Sequence, residues 1–246
     1  MLRLVLLCSF VAIFLALAYA AAVAIRMHVL IRKSGELVAK SVPFQHLVTH
    51  AHPRILILGD STAVGTGVDD PRLSIAGRFS TEFPDAEVRN LGINGLRTPE
   101  LARDFPSFPE RSFDIVLLQI GANDILRGTP LPEFSRSLEI VFGRARVIGT
   151  HVIALHSGNI GLAPLFVWPL NVYFRTRTLR YREIYRQIAQ EKGVLYVDLF
   201  HEAADDPFAD HERFYSADLL HLSGEGYRVW YEDVRAAMKR AGIFFG

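Results

Sequence analysis

The sequence predicts an α/β fold, a five-stranded parallel sheet with helices on both faces, preceded by an N-terminal transmembrane helix. Two observations carry this. From residue 54 onward, five short apolar runs alternate with stretches of helical periodicity. Strands separated by helices pair in parallel and take helical cover on both faces. Ahead of them, residues 4–25 contain no charge, and about 20 apolar residues suffice for a helix to cross the hydrocarbon core of a bilayer.

The apolar run lacks the polar face that a surface helix shows at its helical period, which disfavours a buried core helix. A cleaved signal peptide is the other alternative, because Ala20, Ala21 and Ala22 are small residues of the kind found at cleavage sites. The run exceeds a usual signal core, so residues 1–33 read as an uncleaved single-pass anchor. Arg3 precedes the span, while Arg26, Arg32 and Lys33 follow it. The positive-inside count places the following domain in the cytoplasm by a narrow margin and leaves the side open. Cys8 lacks the small residue expected before a lipidated cysteine and reads as an ordinary apolar position. Residues 34–53 read as a solvated linker. His46 and His50 are spaced i, i+4, as metal ligands on a helix can be, but no acidic partner lies nearby.

The globular domain is 54–246. Its first strand is Arg-Ile-Leu-Ile-Leu at 54–58, bounded by Pro53 and Gly59. The others are the alternating run 86–90, the strongly apolar 113–120, then 147–155 and 194–198. Helices are expected at 75–83, 99–105, 132–146, 179–192 and 224–241, the fourth stopped by Gly193. In such sheets, ligands bind beyond the carboxyl ends of the strands.

The chain of 246 residues suits one domain plus an appendage. Hydrophobic residues make up 50% of it and charged residues 22%. A chain of that composition can build a sizeable core and is not disordered. Lys and Arg number 27 against 26 acidic residues, a net charge of +1. That balance gives no sign of a nucleic-acid partner. Cys8 is the only cysteine. An intrachain disulfide, cysteine catalysis in the globular part and a cysteine-based zinc site are therefore excluded.

Four short blocks carry chemistry. Gly59-Asp60-Ser61-Thr62 follows the first strand, Asn90-Leu91-Gly92-Ile93-Asn94-Gly95 the second, and Gly121-Ala122-Asn123-Asp124 the third. Asp218-Leu219-Leu220-His221 lies just before the last helix. A serine hydroxyl needs a base to become a nucleophile. His221 can be that base, and Asp218 can fix its tautomer and stabilise the imidazolium. The backbone N–H groups of Ser61 and Gly95 and the side-chain amide of Asn123 can donate to an oxyanion. Asp60 and Asp124 are supporting residues beside the nucleophile and the amide.

These blocks, in this order, resemble the SGNH subgroup of the GDSL esterase and lipase family, and they span 54–230. The resemblance implies a flavodoxin-like three-layer α/β/α sandwich and metal-free hydrolysis of acyl esters or thioesters. Thr62 stands where the family's naming motif has leucine, and Leu222 departs from the usual surroundings of the histidine. Gly95 fits the family spacing better than Gly92. Taken singly, Gly59-Asp60-Ser61 is an ordinary turn, Asn123-Asp124 a helix cap and His221 a loop histidine. Those readings do not explain the joint order. His201 and His211 are rival bases without an aspartate three residues before them.

Other chemistries lack their motifs. There is no G-x-S-x-G elbow, Gly65-Thr66-Gly67 lacks the third dinucleotide glycine, and no Walker lysine is present. The unusually apolar connection 161–174 reads equally as a loop folded into the core or as an acyl-chain wall or membrane-facing lid. Arg175, Arg177, Arg180, Arg182 and Arg186 follow it, and a solvated helix face is preferred over lipid-headgroup binding.

The expectation is a membrane-anchored serine hydrolase that acts on a lipid, lysophospholipid, thioester or acetylated-sugar ester through an acyl-enzyme. It needs no cofactor, metal or nucleic acid. The alternatives are an acyltransferase on the same fold and a non-catalytic lipid- or glycan-binding module.

Overall fold

A computed structural model describes residues 1–49, 51–209 and 212–244. The five apolar runs form strands β1 (Arg54–Gly59), β2 (Glu87–Asn90), β3 (Phe113–Gln119), β4 (Gly149–Leu155) and β5 (Leu195–Val197). All pairings among them are parallel, in the order β2-β1-β3-β4-β5. Ile55 of β1 lies opposite Val88 on one side and Ile115 on the other, which aligns the carboxyl ends of the central strands.

Among the described residues, eight α-helices accompany the sheet. They are α1 (Leu2–Lys40), α2 (Ser61–Val64), α3 (Ile75–Glu82), α4 (Thr98–Arg103), α5 (Ala122–Arg127), α6 (Leu131–Ile148), α7 (Leu170–Lys192) and α8 (Gly224–Arg240). Successive strand residues point to opposite faces, and the two faces build two cores. Leu56, Leu58, Val116 and Leu118 meet Phe134, Phe142 and Tyr185 of α6 and α7. Ile55, Ile57, Ile115 and Leu117 meet Phe79 of α3 and Tyr227, Trp230 and Val234 of α8. The result is the expected α/β/α sandwich on a five-stranded parallel sheet.

Boundaries differ where tertiary packing overrides local signals. α7 begins at Leu170 rather than 179. Its first turns carry β-branched and aromatic residues that weaken helix propensity. Packing supplies the support: Phe174 lies 4.2 Å from Phe166 by ring centroids, and the Thr178 hydroxyl donates to the Phe174 carbonyl. α6 runs to Ile148, which delays β4 to Gly149.

The last part of α1, residues 34–40, falls within the linker expected at 34–53. Among the described residues, α1 alone is long and apolar enough to cross a membrane. It continues past residue 33 to Lys40 and is docked on the domain. Leu30 is buried in the core, and the Arg26 guanidinium donates to the carbonyls of Pro164 (2.7 Å) and Leu165 (2.9 Å). The Tyr19 hydroxyl donates to the Trp168 carbonyl at 2.6 Å. Beyond α1, the His46 backbone pairs antiparallel with Val88 and covers the outer edge of β2. Cover of this kind is a usual protection for an edge strand. The His46 ring faces the Pro84 carbonyl at 3.2 Å, and His50 lies outside the described residues.

Candidate active site

β1 ends at Gly59, whose φ of 149° suits glycine. A Cβ there would lie 1.8 Å from the Gln119 carbonyl oxygen, so the close approach of β1 to β3 admits no side chain. The chain turns at once into α2, with Asp60 as N-cap and Ser61 as its first residue. Asp60 Oδ1 accepts from the Thr62 N–H and hydroxyl, both at 2.9 Å. Thr62 thus holds the aspartate that precedes the serine. Burial pushes the Asp60 carboxyl up to about 6, against the pull of those two hydrogen bonds.

Asp218 and His221 arrive on a single tight turn, 216–223. The Ser216 N–H donates to the His221 carbonyl at 2.7 Å, and Tyr215 bridges Leu222. Leu219, between Asp218 and His221, adopts a left-handed φ of 59°. A non-glycine residue holds that conformation only where its surroundings enforce it. The Leu219 carbonyl accepts from Leu165 N–H at 3.0 Å, tying the turn to the apolar connection. Gly67 makes room for the turn, since a Cβ there would lie 2.3 Å from the Leu222 carbonyl.

Asp218 is fully buried. Its Oδ1 accepts from the N–H groups of Leu220 (3.1 Å) and His221 (3.0 Å), and its Oδ2 lies 2.6 Å from His221 Nδ1. Burial alone would raise the carboxyl, but the hydrogen bonds from the His221 ring and the two backbone N–H groups hold it below the usual range. His221 Nε2 lies 3.1 Å from Ser61 Oγ. The structure thus brings Ser61, His221 and Asp218 into one continuous hydrogen-bonded chain.

The glycine block divides its work. Asn90 donates to the Ala63 carbonyl (2.7 Å) and accepts from Gly92 N–H (2.9 Å). Gly92 packs on α2, where a Cβ would meet Val64 N at 2.7 Å. Gly95, at φ 78°, lines the same cavity as Ser61 and Asn123. Asn123 is buried, and its side-chain amide bonds to no protein group among the described residues. This amide lines the cavity beside Ser61. Asp124 is not part of this cavity's wall. Its Oδ2 accepts from Thr98 N–H (2.9 Å) and hydroxyl (2.7 Å), tying α5 to the start of α4. Burial raises its carboxyl, and the Thr98 bonds oppose that rise. Asp124→Ala is therefore expected to destabilise the fold by about 1–3 kcal/mol, since it strands buried donors. Urea unfolding of the two proteins measures this, and Asp124→Asn should recover most of the loss.

The cavity above Ser61 and His221 has a volume of about 490 Å³. Its walls are mostly apolar: Leu165, Phe166 and Phe174 from the apolar connection and α7, and Phe208 and Trp230 on the opposite side. Part of the connection 161–174 folds into the core, and the same part faces the cavity: Leu165 and Phe166 are buried and line it. Met27, Ile31, Ser34 and Val38 of α1 also line it. Nothing in the local sequence marks them, because which face of a helix docks depends on the surface it meets. Of the arginines after the connection, Arg175 pairs with Glu202 (2.6 Å), Arg182 with Asp198 (2.6 Å) and Arg186 with Glu183 (2.9 Å). His201 is exposed, and His211 lies outside the described residues. Among the described residues, no group of three or more His, Cys, Asp or Glu side chains is placed to hold a metal ion.

Solved structures share the fold. TesA superposes with a TM-score of 0.61 at 21% identity, covering 76% of this chain and 98% of that one. Axe2, an acetylxylan esterase from Geobacillus stearothermophilus, gives a TM-score of 0.58 at 19% identity, covering 80% and 96%. A lipase/acylhydrolase from Enterococcus faecalis gives 0.58 at 21% identity, covering 76% and 96%. No curated protein matches the sequence. The sequence model of one family matches residues 57–229, a span that holds all four blocks. The chain belongs to the GDSL-like lipase/acylhydrolase family.

Proposed function

We propose that this protein hydrolyses lipid-type acyl esters by two-step acyl transfer through Ser61. The observation that carries the reading is the chain from Asp218 through His221 to Ser61, with spacings of 2.6 and 3.1 Å, opening on a largely apolar cavity. Ser61 Oγ attacks the ester carbonyl carbon while His221 Nε2 takes its proton. Asp218 holds the imidazole by Nδ1 and stabilises the imidazolium. The carbonyl oxygen gains negative charge and is met by Ser61 N–H, Gly95 N–H and the Asn123 amide. Collapse of this intermediate breaks the C–O bond, and the alcohol leaves with the proton from His221. A water molecule, deprotonated by His221, then releases the acid and restores the serine.

The cavity's apolar lining and its volume of about 490 Å³ favour an extended acyl chain over an acetyl group. A fluorophosphonate probe tests the reading directly. A single covalent adduct on Ser61 is expected, together with turnover of p-nitrophenyl esters. Intact protein with no adduct, or with the adduct on another residue, sinks it.

We further infer that α1 is an uncleaved membrane anchor, supported by its uncharged run 4–25 and the full exposure of its most apolar window. The protein is expected to stay in the membrane fraction after an alkaline carbonate wash. A mature chain that begins after Ala22 and washes off would mean a signal peptide instead.

A further inference from the structure

Resting on that reading of Ser61, we propose that α1 is at once the anchor and one wall of the acyl-chain site, so that the enzyme draws long-chain lipid esters from the bilayer that holds the helix. Met27, Ile31, Ser34 and Val38 of α1 line the cavity that contains Ser61 and His221. Their spacing of four, three and four residues places them on one face of the helix. The face is held in position: Leu30 is buried in the core, and Arg26 is bonded to the backbone of the apolar connection.

This stripe starts where the uncharged run ends. At about 1.5 Å per residue, Met27 lies about 3 Å along the axis from Ile25, and Val38 about 16 Å further on. The apolar lining therefore reaches from the membrane end of the helix to the nucleophile. At that end the apolar connection and the first turn of α7 expose Trp168, Val172 and Tyr173. The Tyr19 hydroxyl bonds to the Trp168 carbonyl, which fixes this patch beside the apolar run. Tryptophan and tyrosine favour the membrane–water interface, and a contiguous exposed apolar patch marks a binding surface. A chain leaving the bilayer along α1 follows a helix face that is apolar except at Ser34. The family match begins at residue 57, so α1 lies outside the matched region.

The full-length protein in phosphatidylcholine vesicles is treated with a hexadecyl fluorophosphonate that carries a diazirine at the chain end, then irradiated. An adduct on Ser61 with photo-cross-links to residues 27–38 is expected. An adduct on Ser61 with cross-links confined to 199–230 overturns the proposal. No adduct at all means that the hydrolase reading beneath it fails. In the same vesicles, Ile31→Trp is expected to lower the ratio of palmitoyl to butyryl ester kcat/KM at least tenfold. Val29→Trp, on the same helix but outside the cavity, leaves that ratio unchanged. An unchanged ratio in a folded Ile31→Trp protein also overturns the proposal. Finally, palmitoyl ester embedded with the enzyme should turn over at least tenfold faster than the same ester held in separate vesicles. Equal rates rule out delivery from the bilayer.

Discussion

Ser61→Ala and His221→Ala are each expected to lower kcat for ester hydrolysis on the order of 10⁶-fold, the scale seen when a member of a serine–histidine unit is removed. Without the hydroxyl there is no nucleophile, and without Nε2, 3.1 Å away, nothing takes its proton. The double variant should be hardly slower than either single one, because the two residues act as a unit. Among the described residues Ser61 Oγ bonds only to His221, so Ser61→Ala should leave the Tm almost unchanged. Asp218→Asn is expected to cost about 10⁴-fold, since an amide opposite Nδ1 favours the wrong tautomer. Single-turnover measurements with a chromogenic ester, made alongside thermal melts, separate lost chemistry from lost fold. A folded Ser61→Ala protein that turns over at the wild-type rate ends the mechanism.

Asn123→Ala is expected to lower kcat by about 100–1,000-fold, the usual effect of removing one oxyanion donor. KM should change little, because the donor acts mainly where charge develops on the oxygen. The prediction rests on the buried Asn123 amide, which has no protein partner among the described residues and lies on the cavity wall with Ser61 and Gly95. Because the amide supports no other protein group, the fold should survive its removal. Steady-state kinetics on the purified variant decide the matter. Wild-type kcat would place the amide away from the reacting oxygen.

Much of this architecture is legible in the sequence because its signals are local. β1 is a short apolar run between Pro53 and Gly59, and a buried strand reads that way in any context. The spacing of Asp218 and His221 is equally local, since both sit on one turn. Gly92 and Gly95 are separated in the sequence only by their spacing within the family pattern. Their placement gives the physical difference, one against α2 and the other on the cavity wall. The start of α7 escapes a sequence reading because Val172, Tyr173 and Thr176 are poor helix formers. The packing that rescues them involves residues outside the helix. The docking of α1 is illegible for the same reason. Arg26 reads as a charge flanking a membrane span, and its carbonyl partners at 164 and 165 lie 138 and 139 positions away.

The bond between His221 and Ser61 joins residues separated by 160 positions. Asp218 and His221 are bonded within one turn, whereas Ser61 is brought to them through the core that β1 and α8 share. Closing so long a loop carries an entropic cost that no local contact offsets. The reactive geometry therefore belongs to the cooperative native state alone, and partial refolding intermediates should be catalytically silent even where Asp218 already holds His221. Ester turnover in this protein thus doubles as an intrinsic gauge of foldedness, sensitive to any lesion that parts β1 from α8.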